Sequence, residues 1–123
     1  MQNEWLQRTE LLIKTKGIKK LQKANILVIG LGGVGSFATE FLVRSGIGKI
    51  TIIDGDSVDI TNINRQLPAL NSTIEMPKTE VISKRILDIN PNIYLTAINE
   101  FLIPERMEEI LTNEKFDYVL DCI

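Results

Sequence analysis

The sequence predicts an α/β fold: a doubly wound parallel sheet with helices on both of its faces. Short, almost wholly apolar runs alternate with longer segments whose apolar residues recur at helical spacing. The runs lack the polar alternation of a strand with one wet face, so they suit strands buried on both sides. The first of them leads straight into a cluster of glycines and then a helical pattern, the order of a strand–turn–helix unit. A chain of 123 residues with 44% apolar content is ordinary for one globular domain.

Taken in order, residues 4–23 read as helix, with Trp5, Leu6, Leu11, Leu12, Ile18 and Leu21 as apolar positions. Gly17 is expected to split this segment in two, because glycine inside a helix costs about 1 kcal/mol. Lys16, Lys19, Lys20 and Lys23 share one face. A solvated face is the plain reading of that stripe, and a phosphate-facing surface is the sharper one. Residues 25–29 form the first strand. Residues 33–45 come next as a helix with Val34, Phe37, Ala38, Phe41 and Leu42 as its apolar set, and Gly46 stops it. Residues 50–53 are a second buried strand ending at Asp54. The polar stretch 55–76 is too long for an ordinary connection, and such loops usually carry function. Pro77 opens a helix to about residue 90, with Val81, Ile82, Ile86 and Ile89 inward. Residues 93–98, 104–112 and 116–120 complete a strand, a helix and a fourth strand.

Composition narrows the chemistry. No apolar run approaches the roughly 18–20 residues of a membrane span. The amino terminus carries no basic-then-apolar leader, so a cytoplasmic location with no membrane partner is expected. A lone Cys122 excludes an internal disulfide framework. With no histidine, a metal would be held by oxygen, which favours magnesium over zinc. The formal net charge of −2 gives no general attraction to nucleic acid. Cys122 lies in an apolar strand with no base nearby, the setting of an inert thiol rather than a nucleophile. Phe101 and Tyr94 are expected in the core rather than as platforms for stacking a base.

Chemistry is carried by the glycine turn and the polar segments beyond it. In Gly30-Leu31-Gly32-Gly33-Val34-Gly35-Ser36 the glycines permit a tight turn and let backbone amides approach phosphate oxygens. Asp54 closes the second strand, at the offset of about 20 residues where an acid holds ribose hydroxyls. This much fits ATP and NAD alike. The continuation is Asp54-Gly55-Asp56-Ser57-Val58, then Thr61-Asn62-Ile63-Asn64-Arg65-Gln66, then Pro77-Lys78. An NAD domain has no use for an arginine and a lysine converging on the phosphates. Transfer of an adenylyl group does, because charge builds on the α- and β-phosphates as pyrophosphate leaves. Surface ion pairing is the plain alternative for Arg65 and Lys78.

In this order, Gly-x-Gly-Gly-x-Gly-Ser, Asp-x-Asp-x-Val, Asn-x-x-Arg-Gln and Pro-Lys resemble the signature of the ThiF/ubiquitin-activating adenylation family. The resemblance runs from about Arg8 to the last residue. Within the family, residues 8–12, 45–48 and 61–66 are most similar to the bacterial tRNA threonylcarbamoyladenosine dehydratases. Sulfur-carrier activators more often read Ser-Asn-Leu-Gln-Arg-Gln at the last of these segments.

The resemblance implies a Rossmann-like domain with ATP and magnesium as cofactors. It divides the chain into amino-terminal helices, 1–24, and an ATP-binding domain, 25–123, truncated after the fourth strand and so incomplete at its carboxyl end. Gly30, Gly32, Gly33, Gly35, Asp54, Asp56, Asn62, Arg65, Gln66 and Lys78 would bind the nucleotide. Asp54 would hold the ribose, Asn62 the phosphates, and Gln66 the loop, while Arg65 and Lys78 would stabilise charge during transfer. Arg8 would reach into the partner's site across a homodimer, in the manner of an arginine finger. The family's magnesium-binding aspartate lies after the fourth strand in Asp-x-x-Asp. Here Asp121-Cys122-Ile123 ends first, so the metal ligand is expected beyond Ile123 and the fragment is expected to be inactive or weakly active. The implied reaction is ATP-dependent adenylation of a carboxylate, in tRNA threonylcarbamoyladenosine cyclisation, with tRNA as substrate. One alternative is activation of the carboxyl terminus of a ubiquitin-like sulfur-carrier protein, with a sulfur-carrier or sulfur-acceptor protein as partner. Another is an NAD-binding oxidoreductase.

Overall fold

The computed structural model describes residues 3–123; residues 1 and 2, which the sequence division assigns to the amino-terminal helices, lie outside the described residues. Strands β1 (Asn25–Ile29), β2 (Lys49–Ile53), β3 (Tyr94–Ile98) and β4 (Tyr118–Asp121) form one parallel sheet in the order β3-β2-β1-β4. Helices α1 (Gln7–Lys23), α2 (Gly35–Arg44), α3 (Lys78–Ile89) and α4 (Pro104–Asn113) complete the regular structure. Ile29 stands level with Ile53 on one side and Asp121 on the other. The central strands therefore end at a common edge, where the loops gather.

Side chains alternate across the central strands. Ile26, Val28, Ile50 and Ile52 pack on one face with Val43, Ile47, Ile82 and Ile86. Leu27, Ile29 and Ile53 pack on the other with Ile110 of α4. Helices thus cover both faces, which is the doubly wound arrangement expected from the pattern. Fully burying one such isoleucine contributes about 2 kcal/mol relative to leaving it exposed, so the two central strands hold the fold together.

Helix α2 turns a different face inward from the one its apolar spacing suggests. Val34, Phe37 and Phe41 are 71%, 42% and 67% exposed, whereas Ser36, Thr39, Glu40 and Val43 are buried. Close approach is the cause. A Cβ on Gly35 would stand 1.6 Å from the Gly30 carbonyl oxygen, so the helix start lies directly on the turn. Only small side chains fit beside it, and the Ser36 hydroxyl donates to the Gly32 carbonyl there. Further along, the buried Glu40 carboxylate accepts from Arg85 Nε at 2.6 Å, Arg85 Nη2 at 3.0 Å and Arg44 Nε at 2.8 Å. Burial opposes its ionisation. The hydrogen bonds from Arg85 and then Arg44, with their charges, outweigh that and hold the carboxyl below its ordinary value.

The break expected at Gly17 falls instead at Lys14, whose φ of 66° and ψ of 173° are non-helical. Gly17 stays helical because its missing side chain makes room: a Cβ there would lie 2.7 Å from Ile13 Cβ. The expectation of a core position also fails for Phe101 and Tyr94, which are 73% and 76% exposed. Tyr94 begins the edge strand β3, and Phe101 lies just beyond its end.

Candidate functional site

The glycine turn comes after β1 at the carboxyl edge of the sheet. Gly30 takes φ of +96° and its N–H donates to the Ile53 carbonyl at 2.8 Å, fastening the turn to β2. The N–H groups of Gly32, Gly33 and Val34 donate to no acceptor among the described residues. Three unspent donors beside a helix amino terminus form a receptor for an anion.

Asp54 closes β2 and faces this turn. One carboxylate oxygen accepts the Leu31 N–H at 2.7 Å and the other accepts the Asp56 N–H at 2.7 Å. The carboxylate is held rigidly by these two amides, and each oxygen keeps a lone pair for a hydroxyl.

The long connection folds back on itself. Val58 N–H donates to the Met76 carbonyl and Glu75 N–H to the Val58 carbonyl, both at 2.8 Å, and Ser57 bridges Pro77. Lys78 N–H donates to the Asp56 carbonyl at 3.1 Å. These ties bring the first residue of α3 beside the acid that lies just past β2. The Lys78 side chain is 6% exposed, and its Nζ lies 3.8 Å from the Asp56 carboxylate, its one ion-pair partner among the described residues. A buried ammonium held so loosely is costly unless a further anion completes its surroundings.

A cavity of about 370 Å³ opens here, lined by Gly30, Gly32, Asp54, Asp56, Gln66 and Lys78. The Gln66 amide nitrogen lies 3.5 Å from where a Cβ on Gly32 would stand, and its oxygen is buried without a partner. Unspent amides, an ammonium, a fixed carboxylate and an unpartnered amide oxygen fit a nucleoside phosphate. For magnesium, no group of three or more candidate ligands occurs among the described residues. Asp56, whose side chain is 60% exposed, is one available carboxylate, and magnesium is commonly held by one or two carboxylates together with substrate phosphates.

Other candidates lie outside this lining. The Arg65 stem passes 3.7 Å from the Cβ position of Gly33, but its Nη1 donates to the Thr61 carbonyl at 3.1 Å and the Asn64 side chain at 2.8 Å. The guanidinium is therefore at the turn yet held by its own loop. Asn62 is buried, and its side-chain oxygen accepts the Asp59 N–H at 2.8 Å, shaping the connection. Gly33 and Gly35 shape the turn beneath the cavity. Arg8 is exposed near the start of α1. That helix begins just after Leu6, which packs on Gly46 beyond the carboxyl end of α2, so Arg8 and the cavity belong to opposite ends of the sheet.

Phe101 and Cys122 line the cavity without having been assigned there. Both lie just past the carboxyl end of a parallel strand, which is the position that could have signalled them. Burial, and then the charge of Asp121, push the Cys122 thiol above its ordinary value, so it holds little thiolate at neutral pH.

The ThiF family profile matches residues 6–123. The chain is 50% identical over 106 residues to the tRNA threonylcarbamoyladenosine dehydratase of Haemophilus influenzae, covering 86% of this chain and 40% of that protein. It is 36% identical over 110 residues to the sulfur carrier protein ThiS adenylyltransferase of Escherichia coli, covering 89% and 43%. Among solved structures, the E. coli tRNA N6-threonylcarbamoyladenosine dehydratase in complex with ATP aligns with a TM-score of 0.93 at 39% identity, over 98% of this chain and 49% of that one. The chain thus spans less than half the length of these curated relatives.

Proposed function

This chain belongs to the ThiF family, and we propose on that premise that the protein containing it uses ATP to adenylate the carboxylate of a threonylcarbamoyl group carried on tRNA. The observation that carries the reading is Lys78, a buried ammonium on the wall of the cavity with one loosely placed carboxylate beside it. Bound ATP supplies the adenylyl group that turns the carboxylate's oxygen into a good leaving group, after which attack from within the same side chain closes a ring and releases AMP, for a net loss of water. The residues of this chain do the rest. Asp54 orients the ribose, the amides of Gly32 and Gly33 receive phosphate oxygens, and Lys78 offsets charge as pyrophosphate departs. Arg65 joins Lys78 once its bonds to Thr61 and Asn64 exchange for phosphate, and Asn62 and Gln66 hold the connection in place. Asp56 would help to hold magnesium together with ligands expected beyond Ile123, and the ion would offset phosphate charge. The chain forms a homodimer in which Arg8 completes the partner's site, and residues 1–24 and 25–123 act as arm and nucleotide domain. No helix among the described residues is long and apolar enough to cross a membrane, and the cytoplasm is the proposed location.

The second reading, activation of a sulfur-carrier protein, rests on the 36% identity to the ThiS adenylyltransferase. Pyrophosphate release by the full protein, measured with threonylcarbamoyladenosine-bearing tRNA and separately with a carrier protein, tells them apart. Stimulation by the tRNA is the expected result. Stimulation by the carrier alone would replace the first reading with the second.

A further inference from the structure

Six of the chain's 14 basic residues fall within α1: Arg8, Lys14, Lys16, Lys19, Lys20 and Lys23, against a single acid, Glu10. The rest of a chain of net charge −2 is therefore acidic. The cations of α1 also differ in their surroundings. Arg44, Lys49, Lys78, Lys84, Arg85 and Arg106 each have a carboxylate within 4 Å. Among the described residues, none of the α1 cations forms an ion pair, and Glu10 accepts from Thr15 instead. Lys16, Lys19, Lys20 and Lys23 are all exposed and recur at helical spacing, so they project from one side over about two turns. Lys115, exposed and also without an ion pair among the described residues, lies near the end of this row, its carbonyl accepting from the Asn25 side chain at 2.8 Å, two residues beyond Lys23. The nearby acids are already engaged: Glu114 by Lys49 and Asn25, and Asp117 by the Asn25 N–H.

We infer that Lys16, Lys19, Lys20, Lys23 and Lys115 form a docking surface for the phosphate backbone of the RNA substrate, apart from the catalytic cavity. The inference rests on the proposed tRNA reading. Unpaired lysines in a row neutralise phosphates and release counterions, which gives sequence-independent affinity. An anionic membrane would want the same charges plus an apolar face to insert. Here the apolar side of the lysine-bearing half is spent within the fold, Ile18 being 3% exposed and Leu21 packing on the core. The surface adjoins the amino end of β1, while the cavity lies at its carboxyl end, so roughly 16 Å of strand separates them. A small substrate cannot engage both, whereas a polynucleotide can be gripped at one end of the domain while its modified base is processed at another.

The test compares the full protein with the variant Lys16→Gln/Lys19→Gln/Lys20→Gln/Lys23→Gln and with the corresponding Lys→Arg variant, measuring tRNA binding across a salt series. ATP affinity serves as the check that the fold is intact. The Gln variant is expected to bind tRNA at least about tenfold more weakly near 0.1 M salt, with a salt slope shallower by about 3, while ATP affinity holds and the Arg variant restores binding. Equal affinity and slope for wild type and Gln variant would overturn the docking surface and leave the tRNA reading intact. A wild type that binds no tRNA would overturn both. Binding to phosphatidylserine vesicles that the Gln variant loses, with tRNA binding unchanged, would reassign the surface to membranes.

Discussion

Lys78 is the residue on which the proposed chemistry turns. Replacing it with methionine keeps the buried stem and removes the charge. AMP formation by the full protein should fall by about 10²–10³, the usual consequence of deleting one group that stabilises transition-state charge. Titration calorimetry should find ATP bound far less impaired than turnover, because the amides and Asp54 remain. The sequence announced this lysine through Pro77-Lys78 and its distance behind Asp54. It did not announce where Arg65 directs its guanidinium, since the competing acceptors, the Thr61 carbonyl and Asn64, are neighbours whose geometry depends on the turn at residues 60–62. Phe101 was misplaced for another reason: a large aromatic after a strand looks like core until the sheet's edge is known.

At the scale of elements, α2 and α1 each obey a constraint stronger than apolar spacing. Glu40 on α2 is stabilised by Arg85, which lies 45 residues away on α3, and no local pattern shows that pairing. Because its folded pKa is lowered, the carboxylate's contribution is fully present above its unfolded value near 4.5 and is lost as pH falls through the lower folded value. Glu40→Gln should therefore cost about 2 kcal/mol in urea denaturation at pH 7, with the difference shrinking as the pH drops below that range. For α1 the break belongs to Lys14. Lys14→Gly should stabilise the chain by about 1 kcal/mol by relieving a backbone conformation that suits glycine. Gly17→Ala should destabilise by about 1 kcal/mol despite alanine's better helix propensity, since its methyl would meet Ile13. Strand positions, by contrast, were legible nearly to the residue, because apolar runs this short and uniform admit few other placements.

Over the whole molecule, the parallel sheet collects the glycine turn, Asp54 and the end of β4 at one edge, so a single ligand can touch all of them. ATP with magnesium at 100 times its dissociation constant should raise the unfolding free energy by about 2.7 kcal/mol, and thermal melting of the protein should show the upward shift. NAD at the same concentration should not; a shift with NAD alone would return the chain to the oxidoreductase reading. The fold class was visible from sequence because alternation of strand and helix leaves one economical topology. The charge segregation onto α1 was visible too, but which cations lack partners emerges only when the other helices are in place.

Asp54 grips Leu31 on one side and Asp56 on the other with the same two oxygens that would receive a sugar. Occupancy and local rigidity are thereby one equilibrium: whatever steadies that carboxylate must also slow the opening of both segments it clasps. Hydrogen–deuterium exchange at the Leu31 and Asp56 amides should slow together as nucleotide is added, and one slowing without the other would mean that the clasp is not shared.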